Sequence, residues 1–237
     1  MPRTLGWVAA IGLGVGVVSL SLAWAVGGRD LKRVLAESNL NLQSCDDAKV
    51  ASGPERHLPW SGDDTIEVTL AAPLRLIAGT GSEVIVRGAP ETIAHLQLSG
   101  RRLFADCRLL VSSKPIEVEL PARALRHVRI SGAGKVALEK LDQPELALTI
   151  SGSGNLSAKG TVERVSATIS GSGDIRLGDL ALKRLVTKIS GSGDLEAAPK
   201  DEADVTISGS GHVRLLSRPA TLRSKVSGSG RITQPPV

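Results

Sequence analysis

A chain of 237 residues holds one or two domains, and with one phenylalanine and no tyrosine its core must be almost wholly aliphatic. The net charge is +5, of which residues 1–28 contribute only Arg3, leaving 5 − 1 = +4 for the rest. Spread along the chain without basic clusters interleaved with aromatics, that modest excess excludes nucleic acid as a partner.

Residues 5–27, LGWVAAIGLGVGVVSLSLAWAVG, carry no charge. At about 1.5 Å per residue, a helix of that length crosses a hydrocarbon core of about 30 Å, so an N-terminal hydrophobic helix is expected. Arg3 precedes it, and Arg29, Lys32 and Arg33 come after it. Ala23-Trp24-Ala25 fits a signal-peptidase site after Ala25. Residues 1–28 therefore read either as a cleaved signal peptide or as a membrane anchor through residues 5–27. Both place the protein outside the cytosol: periplasmic, held at the inner membrane, or on the cell surface. Cys45 and Cys107 are the only cysteines. In an oxidising compartment they are expected to form a disulfide, which over about 60 residues is worth on the order of 4 kcal/mol.

Residues 29–60 read as a linker, with a few helical turns from Asp30 to Glu37 and then Ser, Asn, Asp, Gly and Pro without periodicity. From Thr65 short alternating runs begin: Ile66/Val68/Leu70, Leu74/Leu76, Val84/Val86, Leu96/Leu98, Leu103 and Ile116/Val118/Leu120. Residues 61–125 are expected to be a divergent N-terminal β region that caps the core of residues 126–237. Within it, IAGTG from Ile77 and Leu98-Ser99-Gly100 read as degenerate copies of a phrase that dominates the later residues.

That phrase is ISGAG from Ile130, ISGSG from Ile150, Ile169, Ile189 and Ile207, and VSGSG from Val226, with starts 20, 19, 20, 18 and 19 residues apart. Positions two and four before the anchor and six and eight after it are mostly apolar, as in Leu185/Thr187 and Leu195/Ala197 around Ile189. All are an even number of steps from the anchor, and period two is the signature of a strand with one face inward. The parity carries through SGSG, putting glycines inward and serines outward. Repeat length varies only in stretches 139–145, 159–164, 178–184, 198–202 and 216–221, which are expected to be loops. Units of about 19 residues with two short strands cannot bury an apolar face alone, but stacked at about 4.8 Å they enclose a continuous core. The fold class is all-β, a parallel β-helix or β-solenoid.

The export segment, the strand Ile116 to Pro121 and the serial ISGSG units with Asp174 and Asp194 directly after them resemble the GIN-domain family of auto-transporter adhesins over roughly residues 60–232. The resemblance implies a β-helix-like, adhesin-like binding domain on a bacterial envelope, and it carries no catalytic residue. Seven residues come after Gly230, so a self-export barrel is not expected.

The residue after each phrase gives an outward column: Lys135, Asn155, Asp174, Asp194, His212 and Arg231. In register, Asp174 and Asp194 would lie about 5 Å apart, a spacing that could hold a cation or serve a retaining glycosidase. The bland reading is that mixed charges keep the outer wall soluble, and it is preferred. A calcium-binding nonapeptide repeat needs an aspartate at each turn, whereas here two of six carry one. His57, His95, His127 and His212 are scattered without metal-ligand spacing. No cofactor is implied. The expected function is a non-enzymatic envelope protein presenting serine ladders and a charged wall to an envelope protein or glycan. The alternatives are a polysaccharide-acting enzyme or a calcium-binding repeat domain on the solenoid wall.

Overall fold

The computed structural model describes residues 53–106 and 115–236. The hydrophobic segment 5–27, Cys45 and Cys107 lie outside them, and with them the expected helix and disulfide. No helix among the described residues is long and apolar enough to cross a membrane.

Alternation of apolar and polar residues has made nearly every described segment a strand. These are β1 (Glu55–Leu58), β2 (Thr65–Val68), β3 (Pro73–Gly79), β4 (Val84–Arg87), β5 (Leu96–Ser99), β6 (Arg102–Ala105), β7 (Ile116–Pro121) and β8 (His127–Gly132). The series continues with β9 (Lys135–Gly152), β10 (Asn155–Gly171), β11 (Asp174–Gly191), β12 (Leu195–Gly209), β13 (His212–Leu215), β14 (Thr221–Gly228) and β15 (Arg231–Thr233). One helical turn, α1 (Pro90–Ile93), and a 3-10 turn at Ala122–Leu125 interrupt them.

From β8 onward the chain is a parallel β-solenoid whose coils stack in sequence order. The anchors pair in a single file, Ile130 with Ile150, Ile150 with Ile169, Ile169 with Ile189, Ile189 with Ile207 and Ile207 with Val226. The five isoleucines are 0% exposed, and burying such a side chain stabilises by about 1.5–3 kcal/mol. The residues flanking them, such as Lys188 and Ser190, face solvent. Thr187 is the one polar side chain buried among the described residues, and its hydroxyl has no partner there.

Of the stretches expected as loops, 139–145, 159–164, 178–184 and 198–202 are instead a third wall, whereas 216–220 form the loop between β13 and β14 as expected. In β11 the inward residues run Ile175, Leu177, Leu180, Leu182, Leu185, Thr187 and Ile189, so the inward phase slips twice, at Gly178-Asp179 and at Lys183-Arg184. Each slip leaves two outward-facing or half-exposed residues in succession, the mark of a corner. Between them Leu180 and Leu182 pair with Gly160 and Val162 of the preceding coil and are buried. Each such coil thus has three walls, and the third is hidden in the sequence because its length variation masks a short apolar pair.

Glycine makes the remaining corner possible. Gly171 turns at φ +125°, and a Cβ there would lie 2.4 Å from the Gly152 carbonyl oxygen. At Gly173 it would lie 2.3 Å from the Gly154 oxygen. Neither contact leaves room for a side chain.

The N-terminal region joins the same walls out of sequence order. β2 pairs with β8, Ile66 opposite Val128 and Val68 opposite Ile130, and β3 pairs with β9, Leu74 opposite Val136. On its other side the β2–β3 rung is covered by β6 and β7, which come later in the chain. The register corrects two expectations. The rung aligned with ISGAG is Val68-Thr69-Leu70-Ala71-Ala72, not IAGTG, whose Ile77 lies on the next wall opposite Glu119. Leu98-Ser99-Gly100 belongs to the β5–β6 hairpin, with Ser99 opposite Arg102. The linker expected over 29–60 also ends earlier, because β1 pairs antiparallel with β4, and β4 antiparallel with β7. These antiparallel strands, α1 and the hairpin close the core at this end, where Ile93, Leu96 and Leu103 are 0% exposed. Arg56 fastens the closure, its guanidinium donating to the carbonyl oxygens of Ile93, Ala94 and Leu96.

Candidate functional site: the serine edge and its acidic column

The SGSG corner runs the length of the repeat region. Its first serines pair in register, Ser131 with Ser151, Ser151 with Ser170, Ser170 with Ser190, Ser190 with Ser208 and Ser208 with Ser227. Parallel pairing fixes their separation at about 4.8 Å. Ser131 donates to Glu67 at 3.3 Å, and no other serine of this file bonds a side chain among the described residues. A second file, Ser153, Ser172, Ser192 and Ser210, lies across the corner and is also exposed. Its amide groups reach the preceding coil, Ser172 to the Gly152 oxygen at 3.0 Å and Ser192 to the Gly171 oxygen at 2.9 Å. With the backbone satisfied by the glycines, the hydroxyls are left for solvent or a ligand.

In the outward column Asn155 lies opposite Lys135 and Asp174, and His212 opposite Arg231, while Asp194 precedes β12 and is paired in neither ladder. Its two aspartates face the backbone of the next coil. Asp174 Oδ1 accepts from the Asp194 amide at 3.4 Å, and Asp194 Oδ1 accepts from the His212 amide at 2.9 Å and lies 3.3 Å from His212 Nδ1. In the earlier coils a glycine carbonyl accepts that amide, as Gly154 does for Asp174 at 3.1 Å. The carboxylates replace that acceptor on both sides of Asp194, which stands outside the β11–β12 and β12–β13 ladders that start at Leu195, a role the sequence pattern alone did not suggest. Asp174 also lies 3.5 Å from Arg176. Among the described residues, no group of three or more His, Cys, Asp or Glu side chains is placed to share a metal ion.

Each remaining histidine faces carboxylates: His57 those of Glu55 and Glu83, His95 that of Asp106, His127 that of Asp64. Charges on the walls pair between coils. Lys183 meets Glu163 at 2.9 Å, and that ammonium holds the Glu163 carboxyl below the usual range. Arg75 bridges Glu117 at 2.6 Å and Glu139 at 3.1 Å. Arg87 bridges Glu55 at 2.8 Å and Glu119 at 3.0 Å, and its hydrogen bond lowers the Glu55 pKa. A groove of about 630 Å³ lies over Arg75, Arg87, Thr92 and Glu117. It is large enough for a small molecule, but both its arginines are already neutralised.

A family model described as "Putative auto-transporter adhesin, head GIN domain" matches residues 60–219. The crystal structure of a "putative adhesin" from Bacteroides fragilis superposes with a TM-score of 0.57 at 17% identity, covering 76% of this chain and 96% of that one. A "putative lipid binding protein" from Parabacteroides distasonis gives 0.44 at 18% identity, covering 77% and 96%. A "putative adhesin" from Parabacteroides merdae gives 0.47 at 17%, covering 78% and 98%. At these identities the first likeness establishes a shared fold. No curated protein sequence matches the chain.

Proposed function

The chain belongs to the GIN-domain family, and from that premise we propose that it is an exported, non-enzymatic, adhesin-like binding module of the cell envelope. Its serine edge is the surface that meets an envelope glycan or protein, and residues 5–27 hold it at the membrane if they are not removed. The observation that carries this reading is the file Ser131, Ser151, Ser170, Ser190, Ser208 and Ser227, repeating at coil spacing. Each hydroxyl is one donor and two acceptors, so the edge offers a regular polar row to a partner that repeats on a similar scale. The rival reading, cleavage of a polysaccharide by Asp174 and Asp194, requires carboxylates free for chemistry, and both here accept backbone amides.

The test uses the full-length chain in neutral detergent, mixed with purified envelope glycans and, in parallel, crosslinked in intact envelopes. Ser170→Arg/Ser190→Arg, which blocks the edge while leaving the inward file untouched, is expected to abolish capture of the ligand. Capture that is indifferent to this pair would sink the proposal. Glycan cleavage that disappears in Asp174→Asn/Asp194→Asn would instead establish the enzyme.

A further inference from the structure

The two ends of the solenoid are finished differently. The N-terminal end is closed by antiparallel strands, α1 and a hairpin. At the other end β14 pairs with β12, and no strand among the described residues lies along its second edge. All eight of its residues are exposed. Leu222 and Val226 are 37% and 44% exposed, whereas Ala203 and Ile207, which they pair with one coil earlier, are 0%. Such a rung leaves backbone donors and acceptors, as well as apolar side chains, without protein partners.

The charge excess, expected to be spread along the chain, is instead concentrated at the same end. Residues 205–237 contain Arg214, Arg218, Arg223, Lys225 and Arg231 and no acidic residue, a sum of +5 that equals the net charge of the whole chain, so the remainder is neutral. Arg214 pairs with Glu196 and Arg223 with Glu202, both in β12. Arg218 donates to the Pro235 carbonyl at 2.9 Å. Lys225 and Arg231 have no carboxylate partner among the described residues.

We propose that this open, basic end accepts an acidic, extended polypeptide segment, which adds as a strand along the free edge of β14. The site adjoins the serine edge at Ser227 but uses the free backbone edge of β14 rather than the hydroxyl row. The incoming backbone takes up the unpaired amide and carbonyl groups, the mode known as β-augmentation. Alternate side chains fall on two faces: apolar ones cover Leu222 and Val226, and acidic ones meet Arg223 and Lys225. A second copy of this chain is the other obvious occupant, but antiparallel edge-to-edge pairing of β14 centred on Ser224 sets Arg223 of each copy against Lys225 of the other, and like charges opposed across strands are destabilising. The charge that refuses a copy attracts an acidic strand.

The experiment uses the full-length chain in neutral detergent and a fluorescent peptide alternating glutamate and valine, as long as β14. Saturable binding is expected, weaker at high salt, and weakened about ten-fold by Lys225→Glu. Replacing the peptide's valines by proline should abolish it. The Lys225 side chain is exposed, so the urea midpoint of the variant should match the wild type and exclude misfolding as the cause. Equal binding of the wild type and the variant overturns the proposal. So does equal binding of polyglutamate or phosphatidylglycerol vesicles, which would mean adsorption by charge alone, or concentration-dependent self-association that excludes the peptide.

Discussion

At the corner between the anchor wall and the next, the repeat coils place glycine, whereas the β2–β3 rung places Leu70 and Ala72 at the positions that count opposite Gly132 and Gly134 and keeps both buried. The difference reflects the layer beneath. A Cβ on Gly132, whose coil rests on the glycine-free rung, would meet nothing within 4 Å, whereas on Gly152, Gly171, Gly191 and Gly209 it would press on the preceding glycine's carbonyl. The first glycine of the phrase therefore marks close approach of one glycine corner to another, whereas at the second, Gly134, a Cβ would already press on the Leu70 carbonyl of the glycine-free rung at 2.4 Å. The wall itself is made by aliphatic alternation and can be continued without it.

The largest expected effects test that distinction. Gly171→Ala, which combines positive φ with a backbone clash, should cost several kcal/mol, whereas Gly132→Ala, with φ +105° and open space, should cost about 1 kcal/mol. Ile189→Asp buries an unpaired carboxylate and belongs with the severe class, while the neighbouring Lys188→Asp stays in water and within about 1 kcal/mol. Urea midpoints decide both pairs. Equal losses at Gly171 and Gly132 would show that backbone conformation, not coil contact, selects glycine.

A smaller effect is expected at the closed end. Arg56→Ala removes a charged donor from three carbonyls and should lower stability by about 2 kcal/mol. Hydrogen exchange in α1 and β5 should rise with little change in β10 and β11. A uniform rise would mean that the cap and the repeat coils unfold as one unit.

The smallest effect is electrostatic. Because the Arg87 hydrogen bond lowers the folded-state pKa of Glu55 from 4.5, its contribution is present above that ordinary value and disappears as pH falls through the folded one. Glu55→Gln should therefore be slightly less stable than the wild type at neutral pH and converge with it in acid. A gap that persists in acid would assign the effect to packing.

Much of the repeat region was legible in the sequence. Ile150, Ile169 and Ile189 each announce an inward phase, and the residues two and four steps before them continue it, since side chains in a strand alternate strictly. Leu180 and Leu182 were not legible as a wall, because two apolar residues between phase slips give too short a period to distinguish from a loop. Leu70 and Ala72 were not legible as a corner, because nothing in their identity marks one. The column of Asp174 and Asp194 could be placed, but not its hydrogen bonds, which depend on where the neighbouring coil's ladder is interrupted.

The sequence by itself determined the coil, its inward file and its serine edge, because each repeat lies against its own sequence neighbour and identical rungs stack residue on residue. Only the tertiary structure decided the order of rungs at the N-terminal end, where β6 and β7 cover β2 and β3 although the chain reaches them later. It alone showed that, among the described residues, one end is closed and the other open. Those outcomes rest on pairings between segments distant in sequence and unlike in pattern, and local periodicity carries no information about which edge a strand will find.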